Sequence, residues 1–169
     1  MRILVSVTMT GLMAGPALAA DVKVTVGIPR LTVSEYHRPY VAIWLEKPDQ
    51  TFVGNIAVWY DTKLKDNEGT KWLKDMRQWW RRSGRNLEMP VDGLSSATRP
   101  PGEHQITVGN AAPFTNLAAG EYQLVVEAAR EVGGRELLRV PFTWPAKETL
   151  NLKAQGEHEL SLIAIDVKP

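Results

Sequence analysis

The chain contains no cysteine. That single absence excludes disulfides, thiolate metal sites, c-type haem attachment and cysteine nucleophiles together. An excess of charge of one sign is also missing: 20 Lys and Arg stand against 19 Asp and Glu. One of those cations, Arg2, lies in an N-terminal stretch that reads as a leader, so the remaining domain is neutral. A neutral domain lacks the bulk-charge footprint of a nucleic-acid binder. Histidine is scarce, and His37, His104 and His158 are far apart with no ligand spacing. Histidines so isolated are more often satisfied surface groups than ligands, although His104 lies close enough to the loop discussed below to tune a cofactor or bind a metal. No Ser-His-Asp order, HExxH pair or phosphate-cradling glycine loop is present. A self-contained enzyme is therefore disfavoured.

A long apolar run occurs once, at the start. Met1-Arg2 is a short basic opening, Ile3 to Met13 is largely apolar, and Ala17-Leu18-Ala19-Ala20 has the small residues of a cleavage site. This reads as a secretory signal peptide over residues 1–20, too short and wrongly flanked for a membrane anchor. With no cysteine after it, lipid anchoring is not expected either. The expected product is a soluble periplasmic protein of one domain, residues 21–169, long enough to bury a core without staples.

Within that domain the apolar pattern is mostly of period two. Val22, Val24, Val26 and Ile28 alternate through Asp21 to Ile28, as in a half-buried strand. Tyr40 to Glu46 and Thr51 to Tyr60 read as a hairpin around Lys47-Pro48-Asp49-Gln50, with a bulge expected at Gly54-Asn55. Glu121 to Glu131 and Arg135 to Trp144 flank Gly133-Gly134, a two-residue hairpin signal. Pro141 cannot donate to a ladder, which places the second arm at a sheet edge. Glu103 to Val108 is short and strand-like. Ala146 to Gly156 is a polar connection or short strand, and His158 to Val167 a final strand whose phase changes at Leu162-Ile163. One helix interrupts the series, from a Thr70 cap through Lys71 to Ser83, stopped by Gly84. Trp72, Leu73, Met76, Trp79 and Trp80 form its apolar stripe. About seven strands joined by turns, with an insertion near 70–84, predict an all-β, immunoglobulin-like antiparallel sandwich carrying one inserted α-helix.

Between helix and strands lies Val91 to Gly102, small, polar and ending in Pro100-Pro101-Gly102. Its Asp92-x-x-Ser95-Ser96-Ala97-Thr98 resembles the signature that periplasmic flavin transferases read when they join FMN to a threonine hydroxyl through a phosphoester. The bland alternative is an ordinary surface loop, for which this composition is usual.

A wider resemblance covers most of Pro39 to Trp144. Pro39-Tyr40-Val41-Ala42-Ile43-Trp44-Leu45-Glu46, Ile56-Ala57-Val58-Trp59-Tyr60, Lys71-Trp72-Leu73-Lys74-Asp75 with Trp79-Trp80, the Asp92 to Gly102 segment and Gly120-Glu121-Tyr122 through Glu131 occur in order. Together they resemble a family of predicted periplasmic proteins known only as a domain of unknown function. The Gly-x-Tyr strand is also similar to the sandwich module of flagellar hook-capping proteins, which speaks for the fold alone. Two departures from the family pattern are present: Ser96 where glycine usually precedes Ala-Thr, and Val108-Gly109-Asn110 where Trp-Asp-Gly is usual.

The resemblance implies a companion of PepSY-type membrane reductases and flavin transferases, in electron transfer across the membrane and often in iron acquisition. On that reading Thr98 carries FMN, Ser95, Ser96 and Ala97 keep the approach open, and Asp92 positions the threonine or an enzyme-held cation. Trp80, the nearest of the stripe to the loop in sequence, is the candidate to stack on the flavin, with Arg81, Arg82 or Arg85 near its phosphate. The plainer role of the stripe is to staple the helix to the sandwich, since burying such a side chain is worth roughly 2–3 kcal/mol. The alternative function is a cofactor-free sandwich that docks a membrane partner or sequesters an iron or haem species.

Overall fold

A computed structural model describes residues 20–169; apart from Ala20, the leader assigned to residues 1–20 lies outside the described residues. Strands β1 (Asp21–Ile28), β2 (Tyr40–Glu46), β3 (Phe52–Tyr60), β4 (Ser95–Ala97), β5 (Gly102–Thr107), β6 (Gly120–Ala129), β7 (Arg135–Trp144), β8 (Leu150–Gln155) and β9 (Leu162–Lys168) form two sheets. One has the order β5-β1-β9-β8 and the other β4-β3-β2-β6-β7. This is the expected all-β sandwich, with nine strands among the described residues rather than about seven.

Alternation builds the space between the sheets. Val22, Val24 and Val26 of β1 and Ile163, Ile165 and Val167 of β9 meet Val41, Ile43, Leu45, Trp59, Leu124 and Val126 of the larger sheet. Their neighbours on β2, β3 and β6 are buried as well. Ala42, Trp44, Val58, Tyr60 and Val125 face the other way, against Leu73, Met76 and Trp79. The molecule thus has three layers, and the larger sheet is dry on both faces near its centre. That is why β2 reads as almost continuously apolar.

The third layer is not the single helix that the sequence suggests. Helical turns of 3-10 type run over Lys65–Asp75, broken by positive φ at Asp66 (53°) and Asn67 (57°). Met76 leaves helical geometry (φ −77°, ψ 75°), and α1 (Arg77–Arg82) follows as a separate short helix. Leu73, Met76 and Trp79 are 1%, 0% and 0% exposed. They recur every third residue, the period of 3-10 winding rather than of an α-helix. Trp72 falls off that row and stands 37% exposed.

The break at Met76 has a tertiary cause. Glu127 on β6 is fully buried and accepts the backbone amides of Gln78 (3.1 Å) and Trp79 (2.8 Å). A carboxylate from the sheet therefore starts α1 where the local chain offers no side-chain cap. Arg135 Nη1 completes the site at 2.7 Å from Glu127 Oε1. Trp79 Nε1 donates to Asn55 Oδ1 at 2.8 Å, and Asn55 Nδ2 to Ser83 Oγ at 2.8 Å, so the buried indole leaves no polar atom unmet.

Two further expectations are met, the short strand in Ala146 to Gly156 and the bulge at Gly54-Asn55, and two are corrected, at the β6–β7 turn and in β9. Ala146 to Gly156 contains a true strand, β8, paired with β9. The β2–β3 register slips at Ile43/Trp44 and again at Leu45/Glu46, on either side of Gly54-Asn55. The β6–β7 turn closes with Arg130 N on Gly134 O (3.0 Å) and Gly133 N on Arg130 O (3.0 Å), and its positive φ (52°) falls on Val132, not on a glycine. Strand β9 keeps a regular register with β1, because the phase change at Leu162-Ile163 marks where the strand begins. Pro141 does lie in an edge strand, β7.

Candidate functional site

Thr98 follows directly on β4, which the sequence presents as loop. Ser95, Ser96 and Ala97 have no strand pattern of their own. They lie parallel to Val58, Trp59 and Tyr60 and extend the sheet edge, the one parallel pairing in an otherwise antiparallel structure among the described residues. The entry is a tight turn: Ser95 N donates to Val91 O at 2.9 Å, Val91 N to Ser95 Oγ at 2.9 Å, and Gly93 takes φ 74°. Asp92 sits exposed in that turn.

The exit is anchored equally well. The Arg99 guanidinium lies 5.4 Å from the centre of the Trp59 ring, within cation–π range. His104 bonds the carbonyl of Pro100 at 2.7 Å and meets Trp59 edge-on at 5.9 Å. His104 thus holds the chain after Thr98. Among the described residues, no group of three or more His, Cys, Asp or Glu could hold a metal.

Thr98 and Ala97 line a cavity of about 540 Å³, and Thr98 is half-buried at its wall. The remaining wall comes from four separate stretches: Tyr36, His37, Arg38 and Tyr40; Asp61, Lys63 and Leu64; Trp72 and Asp75; and Ala129, Arg130 and Glu131. A second hollow of about 470 Å³ shares Tyr36 and Arg38 and reaches Pro100, Pro101 and Arg30. A single cavity of several hundred Å³ with aromatic walls and a few polar groups is of the size that takes a small molecule.

Of the residues picked out in the sequence, Ala97 and Thr98 meet at this cavity, Ser95 and Ser96 stand one step back in β4, and Asp92 lies in the turn before it. Trp80 does not line it. Its ring is half-buried against the outer-face core, 6.4 Å from that of Trp79. The aromatic groups at the cavity are Trp72, Tyr36 and Tyr40.

The charges around the cavity are unevenly paired. His37 Nε2 lies 2.8 Å from Glu35 and its Nδ1 3.5 Å from Glu131. Arg130 turns Nε and Nη2 onto buried Glu159, at 2.8 and 3.1 Å. Arg38 and Lys63 have no carboxylate partner among the described residues. Burial pushes the Tyr40 phenol up to about 12, and its hydroxyl donates to Gly69 O at 3.0 Å. Burial also raises Tyr36, against the opposing pull of Arg130 and Arg38. Both phenols remain neutral donors at physiological pH.

The fold and this site define a class: an all-β sandwich with a helical outer layer and a small-molecule-sized cavity at its sheet edge. The chain belongs to the family described as Predicted periplasmic protein (DUF2271), which matches residues 21–161. No curated protein and no solved structure matches it. Among the described residues no helix is long and apolar enough to cross a membrane.

Proposed function

We propose that this periplasmic protein is an electron carrier whose FMN is joined to Thr98. One observation carries the reading: the threonine singled out by the flavin-transferase signature stands at the wall of a cavity of about 540 Å³, beside three aromatic rings and two cations with no carboxylate partner among the described residues. The group fits the residues present. Arg38 and Lys63 supply the charge that a phosphodiester needs, and Tyr36, Tyr40 and Trp72 supply apolar walls for a flat ring. Asp92, exposed in the turn before β4, is available to the modifying enzyme.

Attachment is a phosphoryl transfer carried out by a flavin transferase. The Thr98 hydroxyl oxygen bonds to the flavin-side phosphorus of FAD, the pyrophosphate bond breaks, AMP leaves, and the hydroxyl proton passes to the transferase. FMN, once bound, supplies the capacity to take up and release electrons. The chain's part is to hold that group and shield one side of it. Anchoring of Arg99 on Trp59 and of Pro100 on His104 keeps Thr98 in place. The partner implied by the family resemblance is a PepSY-type membrane reductase, and its proposed physiological setting is iron acquisition.

A cofactor-free binding module is the competing reading. Leu64 and Trp72, 38% and 37% exposed at the same cavity, would suit docking. Protein isolated from the native periplasm separates the two: a yellow product with flavin absorbance supports the carrier, and a colourless one supports the binding module.

A further inference from the structure

We infer that the cavity is a flavin-ring site in its own right, with Trp72 as its stacking face and Tyr36 and Arg130 as its donors, able to hold the ring without the bond to Thr98. The identity of the ring rests on the function proposed above; the site itself rests on three features of the wall.

The first is Trp72. Its neighbours on the buried row, Leu73, Met76 and Trp79, account for the attachment of the helical layer. Trp72 contributes nothing to that row and stands more than a third exposed at the cavity. An indole left partly exposed there offers a flat apolar face to a ligand.

The second is a deficit of acceptors. The Tyr36 hydroxyl and Arg130 Nη1 are both buried and both without a hydrogen-bond partner. Both residues line the cavity. Buried donors of this kind are rare in folded proteins and call for an explanation. A ring bearing carbonyl oxygens along one edge, as the pyrimidine end of a flavin does, is the acceptor this wall lacks. Tyr36 lies in the stretch between β1 and β2, outside any strand, so a turn of its ring toward the cavity disturbs no ladder.

The third is preorganisation. Glu159 holds Arg130 from its Nε and Nη2 side, Gly134 N donates to the same carboxylate at 2.9 Å, and the Arg130 guanidinium sits 6.0 Å from the Tyr36 ring. Glu159 therefore fixes the direction of the guanidinium, and side-chain movement at the wall uncovers Nη1 when a ligand arrives. A fixed cation beside the ring edge also favours whichever redox form carries more negative charge there.

Riboflavin, which has no phosphate and cannot form the phosphoester, is the probe. It is titrated into unmodified protein from cells lacking a flavin transferase, and quenching of flavin fluorescence is followed. Saturable quenching is expected, although no bond to Thr98 can form. Trp72→Ala should weaken binding about tenfold, the scale of losing one aromatic stacking partner. Tyr36→Phe, which keeps the ring and alters only the donor, should weaken it severalfold with the circular dichroism spectrum unchanged. Quenching that fails to saturate, or equal affinity in wild type, Trp72→Ala and Tyr36→Phe, overturns the ring site. Failure of Thr98 to acquire FMN while riboflavin still binds sinks the phosphoester alone.

Discussion

Glu127 Oε2 accepts the backbone amide of Trp79 at 2.8 Å, joining a sheet strand to the start of a helix 48 residues earlier in the chain. The carboxylate is fully buried and the helix has no cap of its own.

Glu127→Ala should therefore cost about 2–4 kcal/mol, because it leaves the amides of Gln78 and Trp79 without their acceptor, while Arg135 can turn to solvent. Glu127→Gln should cost less, about 1–3 kcal/mol, because one oxygen can still accept while the amide NH2 faces a donor. Urea unfolding of the two variants, with the slope checked for constancy, measures both.

The tryptophans of the helical layer should behave oppositely. Trp79→Ala opens a hole in a closed core and should cost about 3–5 kcal/mol. Trp72→Ala removes a half-exposed ring and should stay within about 0.5 kcal/mol of wild type. The same unfolding assay ranks them, and comparable losses would contradict the three-residue row of Leu73, Met76 and Trp79.

Gly69 is buried where the helical layer crosses the end of β3. A Cβ there would run into the Asp61 carbonyl, which is backbone and cannot swing away, and would lie 3.3 Å from the Tyr40 hydroxyl. Gly69→Ala should cost about 1–3 kcal/mol through overpacking. It should also let water reach Tyr40, so that its phenol falls from about 12 towards the ordinary 10.0. Absorbance titration of tyrosinate reads that directly. In the wild type, Tyr40 contributes stability that is fully present below pH 10.0 and lost as pH rises towards about 12.

On the acid side, Glu136 matters. Burial alone would raise its carboxyl, but the amides of Glu157, Leu160 and His158, at 2.8, 2.8 and 3.0 Å, outweigh burial and hold it below 4.5. Its stabilising effect is therefore present above 4.5 and lost as pH falls through the lower folded value. Glu136→Gln should be less stable than wild type at neutral pH, with the gap closing under acid. A gap independent of pH would contradict this assignment.

The sandwich was legible because strands such as β1 bury one face, so Val22, Val24 and Val26 announce themselves by alternation. The helical layer was half legible. Its apolar residues were evident, but a tertiary cap by Glu127 divided the helix and a three-residue period sorted Trp72 out of the core. Strand β4 was hidden, since Ser95-Ser96-Ala97 is strand only by pairing with Val58 to Tyr60. The cavity was hidden more deeply. Thr98 was marked by its local signature, but Tyr36, Lys63, Trp72 and Arg130 come from separate segments with nothing in their spacing to join them. Proximity in sequence pointed to Trp80; the fold brings Trp72 to the cavity instead.

The phosphoester itself is tested most directly by peptide mass analysis of protein co-expressed with a flavin transferase and a flavin supply. The peptide bearing Thr98 should gain the mass of FMN less water, and Thr98→Ala should gain nothing while folding normally. An unshifted wild-type peptide, or FMN recovered on another residue, would contradict the account.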